Sequence, residues 1–162
     1  MQKSKIEPVN LDVGVDYDSN EISCEDVYEH VRDINKFKKW FNCFPLIWLT
    51  SKDDTLKKGT VMIMHGGFPP IGFVFSVTIT ELSQHHCKAE VKEINGKFYG
   101  ETSIYVERIG NITRLQKDFW VCADTQKDLD AYAIGAKKFH GKYVRWRAGL
   151  LRKIILKEKN KF

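Results

Sequence analysis

Residues Val9 to Tyr17 alternate. Val9, Leu11, Val13, Val15 and Tyr17 fall on one face, and Asn10, Asp12 and Asp16 on the other. This period of two predicts a half-buried strand. Asp18-Ser19-Asn20 interrupts it. Ser23, three residues before Asp26, then supplies a helix N-cap. Val27, Val31 and Ile34 follow at helical spacing with Tyr28 beside them, and a second short helix runs through Phe37, Trp40 and Phe41 until Pro45 ends it.

The middle of the chain reads as a meander. Strands are predicted over Leu46–Ser51, Thr60–His65, Phe73–Leu82, Cys87–Ile94, Lys97–Arg108 and Ile112–Ala123, separated by short polar or glycine-bearing turns. Phe73, Phe75, Val77 and Ile79 share one face of their strand. Asn95-Gly96 is the sequence signal of a type I′ hairpin. Short connections between successive strands make the sheet antiparallel.

From Asp128, read as a cap, to Lys157 the pattern turns helical again. Leu129, Tyr132, Ala133, Ala136, Phe139, His140, Tyr143, Arg147, Leu150, Leu151 and Ile154 recur at steps of three and four. Such a helix is about 45 Å long and needs a broad surface to cover. Gly135, Gly141 and Gly149 inside it suggest a close approach of the sheet or a bend.

Length and composition fit one domain over residues 1–162, with 1–8 a loose lead-in and 158–162 a basic tail. The hydrophobic fraction of 43% supports a real core, and 12% aromatic residues leave rings for a core or for a cavity wall. The net charge of +5 is uneven, because the segment from Lys137 to Phe162 carries ten Lys and Arg against Glu158 alone. That face is a solvated helix surface or a contact for an anionic membrane surface or RNA; DNA is not an expected partner. Cys24, Cys43, Cys87 and Cys122 form no C-x-x-C pair, and Met1–Pro8 has no apolar signal core, so reduced thiols and a cytoplasmic location are expected. His85-His86-Cys87 is not a zinc pattern, since neighbours in a strand point to opposite faces. Phosphate-loop and dinucleotide motifs are absent, and no cofactor is implied.

Three segments carry a family likeness. Ile22 to Trp40 runs from a capped helix with acidic residues to an aromatic-rich second helix. Lys58-Gly59-Thr60-Val61 leads into a strand, and Ile109-Gly110-Asn111-Ile112-Thr113-Arg114-Leu115 forms the last hairpin. Together with the element order, these resemble the START-like superfamily, also described as the polyketide cyclase or birch pollen allergen type. The resemblance implies an α+β helix-grip fold. A curved antiparallel sheet of six to seven strands wraps around the long C-terminal helix, and two short helices follow the first strand. It also implies an apolar cavity between sheet and helix. The superfamily includes lipid carriers, quinone-binding proteins, hormone receptors, aromatase/cyclases, ribonuclease-like proteins and chaperone regulators, so the fold transfers and the function does not.

In that frame the expected ligand contacts are His65, Phe68, Ile71, Phe73, Phe75, Trp120, Phe139, His140, Tyr143 and Arg147. Phe68 and Ile71 lie in the loop Gly66–Gly72 and read as an apolar lid. His140, Tyr143 and Arg147 form a polar line on the long helix. Trp120 enters only if the face Gln116, Asp118, Trp120 and Cys122 looks inward rather than Leu115, Phe119 and Val121, and the pattern leaves both open. The leading expectation is a non-catalytic carrier or sensor of a lipid-like or aromatic small molecule. The first alternative is an aromatase/cyclase-like enzyme in which His65, His140, Tyr143 or Arg147 polarises a carbonyl or phenol. The second is a module that binds membrane or RNA through the basic C-terminal helix.

Overall fold

Alternation along the early chain is satisfied by pairing with its far end. In the computed structural model, which describes residues 6–67 and 72–162, β1 (Val9–Asn10) and β2 (Val13–Asp18) both lie antiparallel to β8 (Ile112–Ala123). The single strand expected over 9–17 is thus briefly interrupted. Leu11 still donates its N–H to the Phe119 carbonyl at 2.7 Å, and Leu11, Val13 and Tyr17 are buried on the expected face.

Two helices follow. Ser23 caps α1 (Cys24–Arg32) through a reciprocal bond pair with Asp26. Asp33 ends α1 and also caps α2 (Ile34–Phe41). Their inner faces bury Val27, Val31, Ile34, Phe37 and Trp40, and the Trp40 indole donates to the His30 carbonyl at 3.0 Å.

The meander comprises β3 (Ile47–Ser51), β4 (Val61–Gly66), β5 (Phe73–Ser83), β6 (His86–Glu93), β7 (Phe98–Ile109) and β8. The sheet has eight strands in the order β1-β8-β7-β6-β5-β4-β3, with β2 also on β8, one more than the expected six to seven because the first strand is split and the rest of the meander is as read. Gly59 adopts φ +89° at the lead-in to β4, a conformation that disfavours any side chain. Gly110 sits at φ +58° in the two-residue turn between the paired Ile109 and Ile112, as a type II′ hairpin requires. The Asn95-Gly96 turn is present, but its type differs from the expectation. Only Asn95 has positive φ (57°), and type I′ needs it at both central residues. The loop spans 94–97, and the Glu93 carboxylate accepts the Lys97 N–H at 2.8 Å.

The final helix, α3 (Gln126–Lys159), is 34 residues long and is capped by Thr125, with Asp128 three residues inside rather than at the cap. It takes in only Glu158 and Lys159 of the expected basic tail, and Asn160 caps it. Its C-terminal half packs on the first strands and on α1 and α2. Val144, Ala148, Leu151 and Ile155 are buried there, each contributing on the order of 1.5–3 kcal/mol for the larger side chains. The Tyr17 hydroxyl donates to the Ala148 carbonyl at 3.0 Å. His30 meets Glu158 at 3.1 Å, and Arg152 meets Glu21. The helix glycines do not mark close sheet contacts: a Cβ at Gly135 or Gly149 would meet nothing within 4 Å, and one at Gly141 would reach Val13 only at ordinary contact distance.

Candidate functional site

The N-terminal half of α3 does not close on the sheet. Between them lies a cavity of about 580 Å³, within the usual range for small-molecule sites. β5 contributes Phe73, Phe75, Val77 and Ile79, the face that alternation predicted. β4 adds Met62 and Met64, β6 adds Cys87, Ala89 and Val91, and α2 adds Phe37 and Phe41. Ala131, Tyr132, Gly135, Ala136, Phe139, His140, Tyr143 and Val144 line it from α3.

Of the expected contacts, Phe73, Phe75, Phe139, His140 and Tyr143 line this cavity. His65 does not. The β4–β5 register pairs Met64 with Phe75 and Met62 with Val77, which turns the methionines inward and His65 outward, where its ring stacks on Trp48 at 4.7 Å. Trp120 is also outside the lining, because Lys117 and Phe119 are the inward residues of β8. Arg147 is buried beyond the cavity and spends its guanidinium on the end of α2. It donates to the carbonyls of Trp40 at 2.6 Å and Asn42 at 2.8 Å, oxygens left without helical partners at a C-terminus. The Tyr143 ring faces the cavity but its hydroxyl donates to the Phe41 carbonyl at 2.5 Å. Burial holds its pKa well above the ordinary phenol range. Phe68 and Ile71 lie outside the described residues.

One polar cluster interrupts the apolar wall. The Lys117 ammonium lies 3.2 Å from His140 Nε2 and 3.3 Å from Thr102 Oγ1, and 5.1 Å from the centre of the Phe119 ring. Lys117 is half-buried and lines the cavity. Desolvation lowers its pKa from 10.5 to about 8. Burial, and next the Lys117 charge, press His140 down to about 3, so its imidazole is neutral. Nε2 then accepts from Lys117, the proton resides on Nδ1, and Nδ1 is buried without a hydrogen-bond partner. Cys87 also lines the cavity, but burial pushes its thiol up to about 11, which keeps it protonated and unreactive. Lys117 is absent from the expected contacts. The signal for it is parity: it shares a face with Leu115, Phe119 and Val121.

The His85-His86-Cys87 run diverges. His85 meets Glu25 at 2.9 Å, His86 sits near Tyr105, and Cys87 faces the cavity. Among the described residues no group of three or more His, Cys, Asp or Glu is placed to hold a metal ion, and no helix is long and apolar enough to cross a membrane.

No protein-family model and no curated protein matches the sequence. Solved structures do match the fold. Ginseng major latex-like protein 151 from Panax ginseng superposes with a TM-score of 0.62 at 12% identity, covering 92% of this chain and 98% of that one. Ara h 8.0201 gives 0.59 at 7% identity over 93% and 99% of the two chains. The chain has the helix-grip fold. The hypothetical protein jhp0584 from Helicobacter pylori, at TM-score 0.65 and 14% identity over 90% and 87% of the two chains, shares this helix-grip architecture. At such identities the likeness speaks for fold alone.

Proposed function

We propose that this helix-grip protein binds and carries a small hydrophobic molecule, lipid-like or aromatic, in the cavity between sheet and α3. The observation that carries this reading is the cavity itself: about 580 Å³ walled largely by Phe, Met, Val, Ile and Leu side chains. A void of this size with apolar walls forfeits dispersion contacts that a ligand would restore. The fold commonly binds hydrophobic ligands, which supports the same reading. Native mass spectrometry of gently purified protein tests it, with a copurified mass giving the ligand's class. Delipidated protein should also melt higher with at least one member of a lipid, quinone and polyphenol panel. No shift across that panel sinks the proposal.

The aromatase/cyclase alternative relies on His65, His140, Tyr143 or Arg147: Tyr143 and Arg147 are committed to main-chain carbonyls, His65 stacks on Trp48 away from the cavity, and His140 Nε2 is taken by Lys117. A second reading concerns delivery. Ile134 is 69% exposed and Trp146 54% exposed on a helix that also shows Lys137, Lys138, Lys142 and Arg145 to solvent. Apolar side chains among lysines suit an anionic membrane surface. Cosedimentation with vesicles containing phosphatidylserine that fell as salt rose would support this contact, and retention at high salt would count against it.

A further inference from the structure

Among the described residues the cavity wall carries a single formal charge, on Lys117. Among the described residues no carboxylate lies within 4.0 Å of it. An ammonium has three N–H donors, and the protein supplies two acceptors, His140 Nε2 at 3.2 Å and Thr102 Oγ1 at 3.3 Å. Thr102 donates its own proton to the Asp118 carbonyl at 3.0 Å, which leaves its oxygen free to receive Lys117. Among the described residues the third N–H has no partner. An unpaired cation beside an apolar void is a poor structural choice, since a methionine of similar length fills the same strand position without the desolvation cost.

Resting on the carrier reading above, we propose that the ligand is an apolar molecule bearing one carboxylate, with the carboxylate seated on the Lys117 ammonium and its hydrocarbon or aromatic body along β5, β6 and α3. A carboxylate supplies both missing elements, a counter-charge and an acceptor for the free N–H. Thr102 and His140 hold the ammonium at the wall, so they are positioning residues. One cation matches one anionic headgroup, and the remaining wall offers only apolar contact.

The test compares ligands that differ at the headgroup. Delipidated protein is titrated by calorimetry with dodecanoic acid, dodecanol and methyl dodecanoate, and with 1-naphthaleneacetic acid and 1-naphthaleneethanol as the aromatic pair. At least one acid should bind about tenfold to a hundredfold tighter than its neutral counterpart, the range for a charge-assisted hydrogen bond. Lys117→Met should erase that preference while leaving neutral-ligand affinity the same or better, and Lys117→Gln serves if the methionine variant folds poorly. Equal affinity of acid and neutral forms for the unaltered protein overturns the carboxylate proposal and leaves the cavity reading standing, as does an acid preference that survives in the variant. Failure of every probe to bind overturns both.

Discussion

From Val144 to Lys159, α3 buries Val144, Arg147, Ala148, Leu151 and Ile155; from Gln126 to His140 it buries Leu129 alone. The C-terminal half is tied to α1, α2 and their flanking segments by His30–Glu158, Arg152–Glu21, Lys159–Asp26 and the Arg147 bonds to Trp40 and Asn42. The N-terminal half borders an empty volume. One helix therefore supports the fold along one stretch and roofs a cavity along the other. Stability and ligand capacity are separable because they are housed in different turns of the same element.

That contrast can be broken by mutation. Leu151→Ala, at a site with no exposure, should cost about 2–5 kcal/mol in urea denaturation. Arg147→Ala should cost about 2–4 kcal/mol, because one buried and one part-buried carbonyl lose a charged donor. Both variants should keep the ligand preferences of the unaltered protein wherever they remain folded. If either selectively abolished binding at unchanged stability, the division of α3 would be wrong.

His140 gives a smaller effect with a definite sign. Its pKa is about 3 in the folded protein against an ordinary 6.5, so the unfolded chain takes up the proton first. The stability it contributes is complete above about pH 6.5 and is lost as pH falls toward 3, with a slope of at most about 1.4 kcal/mol per pH unit. Asp16, Asp26 and Asp128 are held low by their ion-pair and hydrogen-bond partners and add acid sensitivity of the same sign. The informative quantity is thus the difference between protein and His140→Gln, which should lose part of the acid slope. Identical acid profiles would remove His140 from the buried cluster.

The smallest effect is a gain. Gly135 lies in the helix with nothing within 4 Å of where a Cβ would stand. Gly135→Ala should stabilise by about 0.5–1 kcal/mol through helix propensity, read from the shift in denaturation midpoint. A loss would show that the roof of the cavity is closer to the sheet than described.

These positions also show what the sequence could disclose. Phe73, Phe75, Val77 and Ile79 read correctly because four large apolar residues in strict alternation leave one choice of face. β8 did not read, because its inward set contains Lys117 and its outward set contains Trp120 and Cys122, so each face mixes apolar and polar residues. A charge normally marks the solvent side, and here the charge points into the cavity. His65 needed the register of β4 on β5, which strand composition does not carry. Arg147 was visible as a polar residue on the helical stripe, but its destination depends on where α2 ends in space. The polar line His140, Tyr143 and Arg147 therefore divides in three: one residue at the Lys117 cluster, one with its ring in the cavity and its hydroxyl on Phe41, and one bound to the end of α2.

The most direct test is methyl NMR of the delipidated protein during titration with dodecanoic acid or 1-naphthaleneacetic acid. Shifts are expected at Val77, Ile79, Val91 and Ile104, which line the cavity, with little change at Val27, Leu151 and Ile155, which are buried outside its lining. Saturable shifts confined to Leu151, Ile155 and their neighbours, or to methyls on the outer face of the sheet, would contradict binding in that cavity.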